Sequence, residues 1–130
     1  FHGAIVLFCG MLFGFPYGRK VASRNATREE VDAWKLAHSS VIGSGTGLIA
    51  IGAAFQYLNL DSAMSLGAVV AYSFIFSSYL FIAGVLLAAL SVQRGLRLGG
   101  TLMNQITFFV YVAAVLSSLT GGISLIIAAM

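Results

Sequence analysis

Charge is missing from most of this chain, and the places where it is missing constrain the fold more than any other feature. Its seven basic and four acidic residues fall in three places: between Arg19 and Lys35, at Asp61, and at Arg94 with Arg97. The intervals between them are apolar runs. A bilayer core requires about 20 mainly apolar residues, each rising 1.5 Å along a helix. With 59% hydrophobic and 8% charged residues, the chain lies far from the charge content of a soluble domain. It reads as an integral membrane protein. Only helices and closed barrels satisfy every backbone polar group in lipid, and these runs lack the strict alternation of barrel strands.

The expected architecture is all-α, an integral membrane antiparallel four-helix bundle. Residues 1–130 form one transmembrane domain with helices at about 1–18, 36–58, 64–90 and 104–129. Short connections favour an up-and-down order. The chain opens without methionine, so a few residues are expected before Phe1. The first run is kept as structure and not as a signal peptide, because no basic residue precedes it and "FPYGRK" offers no small-residue cleavage site.

All lysines and arginines lie in segments 19–35 and 91–103, and the connecting stretch "NLDS" has none. The positive-inside rule makes the two basic segments cytoplasmic and places both termini outside, as in a multi-pass protein of a bacterial inner membrane. The net charge of +3 is thus a topology signal; the partner it implies is the lipid bilayer, with no nucleic acid. Within 19–35, Thr27 and Glu30 stand at capping-box spacing and predict a short surface helix, from which Trp34 leads back into the interface. The sequon Asn25-Ala26-Thr27 falls on the cytoplasmic side and is a coincidence of letters. Cys9, the single cysteine, forms no internal disulfide and is read as buried packing.

The second run opens "WKLAHSSVIGSGTGLIAIG". Gly43, Gly45 and Gly47 do not make a dinucleotide loop, which needs a strand before it and a helix after it. Ser40 and Ser44 are four apart, as are Gly43 and Gly47, giving a stripe on which a helix or a flat ligand can approach the backbone. Both readings stay open. His38, about one turn inside the span, is a functional candidate because ionisable groups are expensive in lipid, or it bonds a neighbour near the interface. His2 lies nearly a membrane away, so the two histidines cannot share a metal. Asn104 and Gln105 enter the fourth span at about the level of His38, with Ser44, Tyr79 and Tyr111 deeper. Tyr72, Phe76, Tyr79 and Ala83 share one face of the third helix. The spans contain no carboxylate, which argues against a proton pump or a carboxylate metal site. A neutral imidazole among hydroxyls and amides is suited to be an axial ligand of haem iron, whose open side can act as a Lewis acid.

Two stretches resemble a known family. "HGAIVLFCGMLFG" and "WKLAHS" are similar to the starts of helices 1 and 2 in styrene oxide isomerases, small four-helix membrane enzymes; a fainter likeness joins the hydroxylaminobenzene mutases. The resemblance implies a homotrimer holding haem b near subunit boundaries, with His38 as the metal ligand and Gly43 and Gly47 leaving room for the cofactor. It implies a haem-dependent rearrangement of a small apolar or aromatic substrate, epoxide to carbonyl, with Ser44, Tyr79 and Asn104 as substrate-side groups. The chain departs from the family pattern at Ser44, which stands for an asparagine, and at Ser73 and Phe81, which stand for an aspartate and a tyrosine. The alternative is a non-catalytic small subunit of a larger membrane complex, packed against partner subunits. A haem electron carrier would need a second axial ligand, for which Met103 is the remaining residue.

Overall fold

The computed structural model describes residues 1–57 and 66–130. The "NLDS" connection with Asp61, and the expected span ends at 58 and 64, lie outside the described residues. Four helices follow in order: α1 (His2–Ala22), α2 (Arg28–Tyr57), α3 (Leu66–Ser91) and α4 (Leu102–Ala128). All four are long and apolar enough to cross a membrane, and they pack as an antiparallel bundle.

The basic segment 19–35 is mostly helical. α1 runs on to Ala22, where the N–H of Ser23, in an extended conformation, donates to the Lys20 carbonyl. α2 begins at Arg28 and continues without a break to Tyr57, so the short surface helix expected around Thr27 is the first two turns of the spanning helix. Its capping box is formed: the Glu30 N–H donates to Thr27 Oγ1 at 3.2 Å, and the Thr27 N–H donates to Glu30 Oε2 at 2.9 Å. With its first orphan donors satisfied, the helix can start in the charged segment. Lys20 of α1 pairs with Glu30. In this charged turn outside the apolar layer, the Lys20 ammonium first, and then the Thr27 N–H, hold the Glu30 carboxyl below its ordinary pKa.

Glycine lets α1 and α2 touch backbone to backbone. A Cβ added to Gly10 would lie 2.7 Å from the Ile42 nitrogen, and one on Gly45 would lie 2.4 Å from the Leu7 nitrogen. No side chain fits at either point. Between these contacts Val6, Ala37 and Val41 are fully buried, and they continue into Leu48, Val85 and Ala89. Lipid is as apolar as these side chains, so close packing and interhelical hydrogen bonds hold the helices together in the membrane.

α3 and α4 use hydroxyls as well as glycine. Ser77 Oγ donates to the Ala114 carbonyl at 2.7 Å, and Ser117 Oγ donates to the Ser73 carbonyl at 3.0 Å. Gly84 faces the Tyr111 ring, and Gly121 faces Phe74. The two pairs meet along α2 and α3, where Ser44 Oγ donates to Ser78 Oγ at 3.3 Å. α4 packs along α3, and its backbone does not come close to α1 or α2 among the described residues. Both basic segments lie at the same end of the bundle.

The glycines of α2 therefore divide into two sets. Gly45 is clamped against α1, whereas a Cβ on Gly43 or Gly47 would meet nothing within 4 Å. Among the described residues, the stripe at Gly43 and Gly47 makes no helix contact. Gly45→Ala is expected to cost about 1–3 kcal/mol, because backbone must move to admit the methyl. Gly47→Ala should change stability by less than about 1 kcal/mol, and in the favourable direction set by helix propensity. Thermal melts of the two variants in detergent, followed by circular dichroism, check this ordering.

Candidate functional site

His38 lies on the side of α2 that faces α1. Its Nδ1 is 2.8 Å from the Gly10 carbonyl oxygen. A carbonyl can only accept, so the neutral ring carries its proton on Nδ1 and keeps the Nε2 lone pair free. No hydrogen bond to Nε2 is made among the described residues. A Cβ on Gly14 would sit 3.1 Å from Cε1 and 3.3 Å from Nδ1 of the ring. Tyr17 stacks on the imidazole with centroids 6.0 Å apart and planes inclined by 21°. Gly10, Gly14 and Tyr17 recur at helical spacing, so successive turns of one α1 face clasp the ring.

Of the other residues singled out by sequence, Gly43 and Gly47 do not join His38. At 100° per residue they lie about 140° and 180° around α2 from it, on an open face. Ser44 turns toward α3, where its hydroxyl bonds Ser78. Tyr79 is the next residue of α3, and its hydroxyl is 3.1 Å from His2 Nδ1, with the rings edge to face at 5.9 Å. Ser44 and Tyr79 thus take part in two separate polar contacts of α3, one to α2 through Ser78 and one to α1 through His2. The sequence places His2 away from His38 and carries no signal that α1 brings it beside Tyr79 of α3.

The two histidines are separated by about half a bilayer core, and not by nearly a whole membrane as expected. Gly3, next to His2, meets Ile49, whereas His38 meets Gly14; the eleven residue steps of α1 between these glycines rise about 16 Å. Among the described residues no three His, Cys, Asp or Glu side chains gather where they could hold a metal ion.

Asn104 is engaged elsewhere. Its Oδ1 accepts from the Gly95 N–H at 3.1 Å, and its Nδ2 donates to the carbonyls of Arg97 at 3.0 Å and Gly99 at 2.7 Å. The 92–101 connection needs such a clamp because Val92, Gly95, Gly99 and Gly100 all have positive φ. Gly95 is also buried against Thr107, where a Cβ would lie 2.5 Å from a side-chain carbon. Gln105 lies beside Asn104, its Nε2 3.4 Å from the Gly100 carbonyl. The aromatic face of α3 points outward, with Tyr72 and Phe76 exposed and Tyr79 lining a shallow hollow beside Ser73 and Ser117.

The principal cavity, about 1000 Å³, lies between α2 and α4 over α3. Leu36, Ala37 and Ser40 line its α2 side, and Phe81 and Tyr111 lie opposite. His38 points away from it, toward α1.

A family model described as styrene oxide isomerase matches residues 1–130, the whole chain. No curated protein and no solved structure matches significantly.

The Asn104 contacts yield a test that separates a loop clamp from a free amide. Asn104→Ala should expose Arg94 and Arg97 to trypsin about tenfold faster, corresponding to the ~1–3 kcal/mol cost of leaving such partners unbonded. Limited proteolysis in detergent, with cleavage sites read by mass spectrometry, measures the rate. An unchanged rate would mean that the amide does not hold the loop.

Proposed function

The chain belongs to the styrene oxide isomerase family, and on that premise we propose that it rearranges a small apolar or aromatic epoxide to the isomeric carbonyl compound, using haem b held by His38. As a family member it is a styrene oxide isomerase-like membrane isomerase.

The observation that carries the reading is the hydrogen bond from His38 Nδ1 to the Gly10 carbonyl, at 2.8 Å. Histidines that ligate metals nearly always donate the second ring N–H to a carbonyl or carboxylate, which fixes the tautomer, orients the ring and raises the basicity of the ligating nitrogen. Here that donor is satisfied by the neighbouring helix before any ligand arrives. Gly14 gives the ring its place, and Tyr17 limits its rotation. The residues fit a haem ligand of the one-sided kind.

When bound, ferric haem supplies a Lewis-acidic position for an oxygen lone pair, with no net change of oxidation state across an isomerisation. The chain's own contribution is to hold Nε2 in a fixed direction and to keep water away. The stretches 36–57, 66–91 and 102–128 carry no carboxylate that could activate water, and water would otherwise open an epoxide to a diol. His38 lines neither the α2–α4 cavity nor the shallow hollow at Tyr79. A flat group on Nε2 therefore needs walls from outside this chain, which supports a homotrimer with haem at subunit boundaries. In such an assembly the polar groups at Ser44 and Tyr79 can serve as substrate-side contacts, and the open Gly43–Gly47 face, on the far side of α2 from His38, can lie against a helix of a second copy.

Absorption spectra of the detergent-purified protein, oxidised and reduced, test the proposal. Wild type should show a haem Soret band, and His38→Ala should lose both the band and more than about 100-fold of the isomerase rate on styrene oxide. A wild-type protein that is folded and converts the epoxide without a haem band would overturn the cofactor. A folded protein that retains haem but leaves epoxides unchanged would overturn the reaction.

A further inference from the structure

The arrangement of α4 leaves a trough that the His38 site does not use. Because α4 packs along α3 and its backbone does not come close to α2, α2 and α4 stand apart as two walls above α3. The floor is Phe81, Val85 and Ala88, and the facing walls include Leu36 and Val112. Charge appears at one end only, where Glu29 and Asp32 of α2 come near Arg94 of the α3–α4 connection. Arg28 approaches Asp32 at 3.9 Å, and neither Glu29 nor Arg94 has an ion pair among the described residues.

We infer that this trough seats a membrane phospholipid of the ethanolamine class, with an acyl chain along Phe81, Val85 and Val112, its phosphate on Arg94 and its ammonium between Glu29 and Asp32. The argument is charge complementarity on an amphiphilic outline. A bilayer lipid has an apolar body at the depth of the spans and its charges at the surface, and the trough repeats that order. At about 1000 Å³ it matches the upper range of ligand cavities. The charged end carries both signs within one mouth, and a zwitterionic head group satisfies both. An anionic lipid would bond the arginine yet meet two carboxylates, which disfavours it. An apolar helix from a second copy could cover the floor but would leave the charges at the mouth unmatched. This inference concerns a face of α2 away from His38 and stands independently of the proposed reaction.

Native mass spectrometry of protein released from nanodiscs containing equal phosphatidylethanolamine and phosphatidylglycerol tests it. Wild type should retain the ethanolamine lipid about tenfold over the glycerol lipid, the ratio expected from one charge-assisted contact. The Glu29→Gln/Asp32→Asn double variant should bring the ratio near one through loss of the ethanolamine lipid. Arg94→Gln should weaken both adducts. Val112→Trp, which fills the trough, should remove the lipid, while Leu119→Trp on the exposed outer side of α4 should leave it bound. Equal retention of the two lipids by wild type, or an adduct unaffected by Val112→Trp, would overturn the assignment. Loss of an oligomer, and not of lipid, in Val112→Trp would show that a second copy fills the trough. The charge variants alter exposed side chains, so their result stands even if the tryptophan variant does not fold.

Discussion

Everything distinctive about this bundle follows from one contact, the crossing of α1 and α2 at glycine. Gly10 and Gly45 bring the two backbones to a separation at which a methyl group would collide with a main-chain nitrogen. Only at that distance can the His38 ring reach the Gly10 carbonyl. In lipid a wider crossing would lose packing and leave the imidazole N–H unsatisfied, at a cost that apolar surroundings make high. The same crossing carries His2 to the level at which it meets Tyr79 on α3. Two polar groups are thus placed at different depths by one helix pair.

The second pair is built differently, and the difference shapes the outside of the molecule. Ser77 and Ser117 tie α3 to α4 through main-chain carbonyls, which fixes register without drawing α4 toward α2. The bundle is consequently open on one side. Its closed side holds a histidine with a prepared tautomer, and its open side holds an apolar trough with charges at the mouth. His38 and the trough thus lie on different faces of α2.

The main outline was legible in the sequence. Charge-free runs fixed four spans, and the Thr27–Glu30 spacing announced a capping box that is present. Its consequence was misjudged: capping reads where a helix begins, but not whether it stops before the membrane, and α2 does not stop. His38 stood out because an imidazole in an apolar run is expensive. What four-residue spacing could not reveal was which small residues touch. Gly43 and Gly47 make the more regular motif, yet Gly45 faces α1, since that choice depends on the rotation of the helix about its own axis. Apolar residues on every side leave that rotation unmarked. Asn104 was legible as a polar group near a helix start, but its role depends on a connection of left-handed glycines whose path spacing does not give. The His2–Tyr79 contact joins residues 77 positions apart, and nothing local signals it.

α1 holds His38 as the Nδ1–H tautomer with a free Nε2. The chain has two histidines, so His2→Gln leaves His38 as the only imidazole, and a nitrogen-15 spectrum of histidine-labelled protein in bilayers reads its two nitrogens directly. The haem-free protein should show a protonated Nδ1 and a bare Nε2, with the Nε2 signal alone displaced by direct ligation when haem is added. A proton on Nε2 with a bare Nδ1 would contradict the account, because the Gly10 carbonyl would then have no donor and the ligating nitrogen would be blocked.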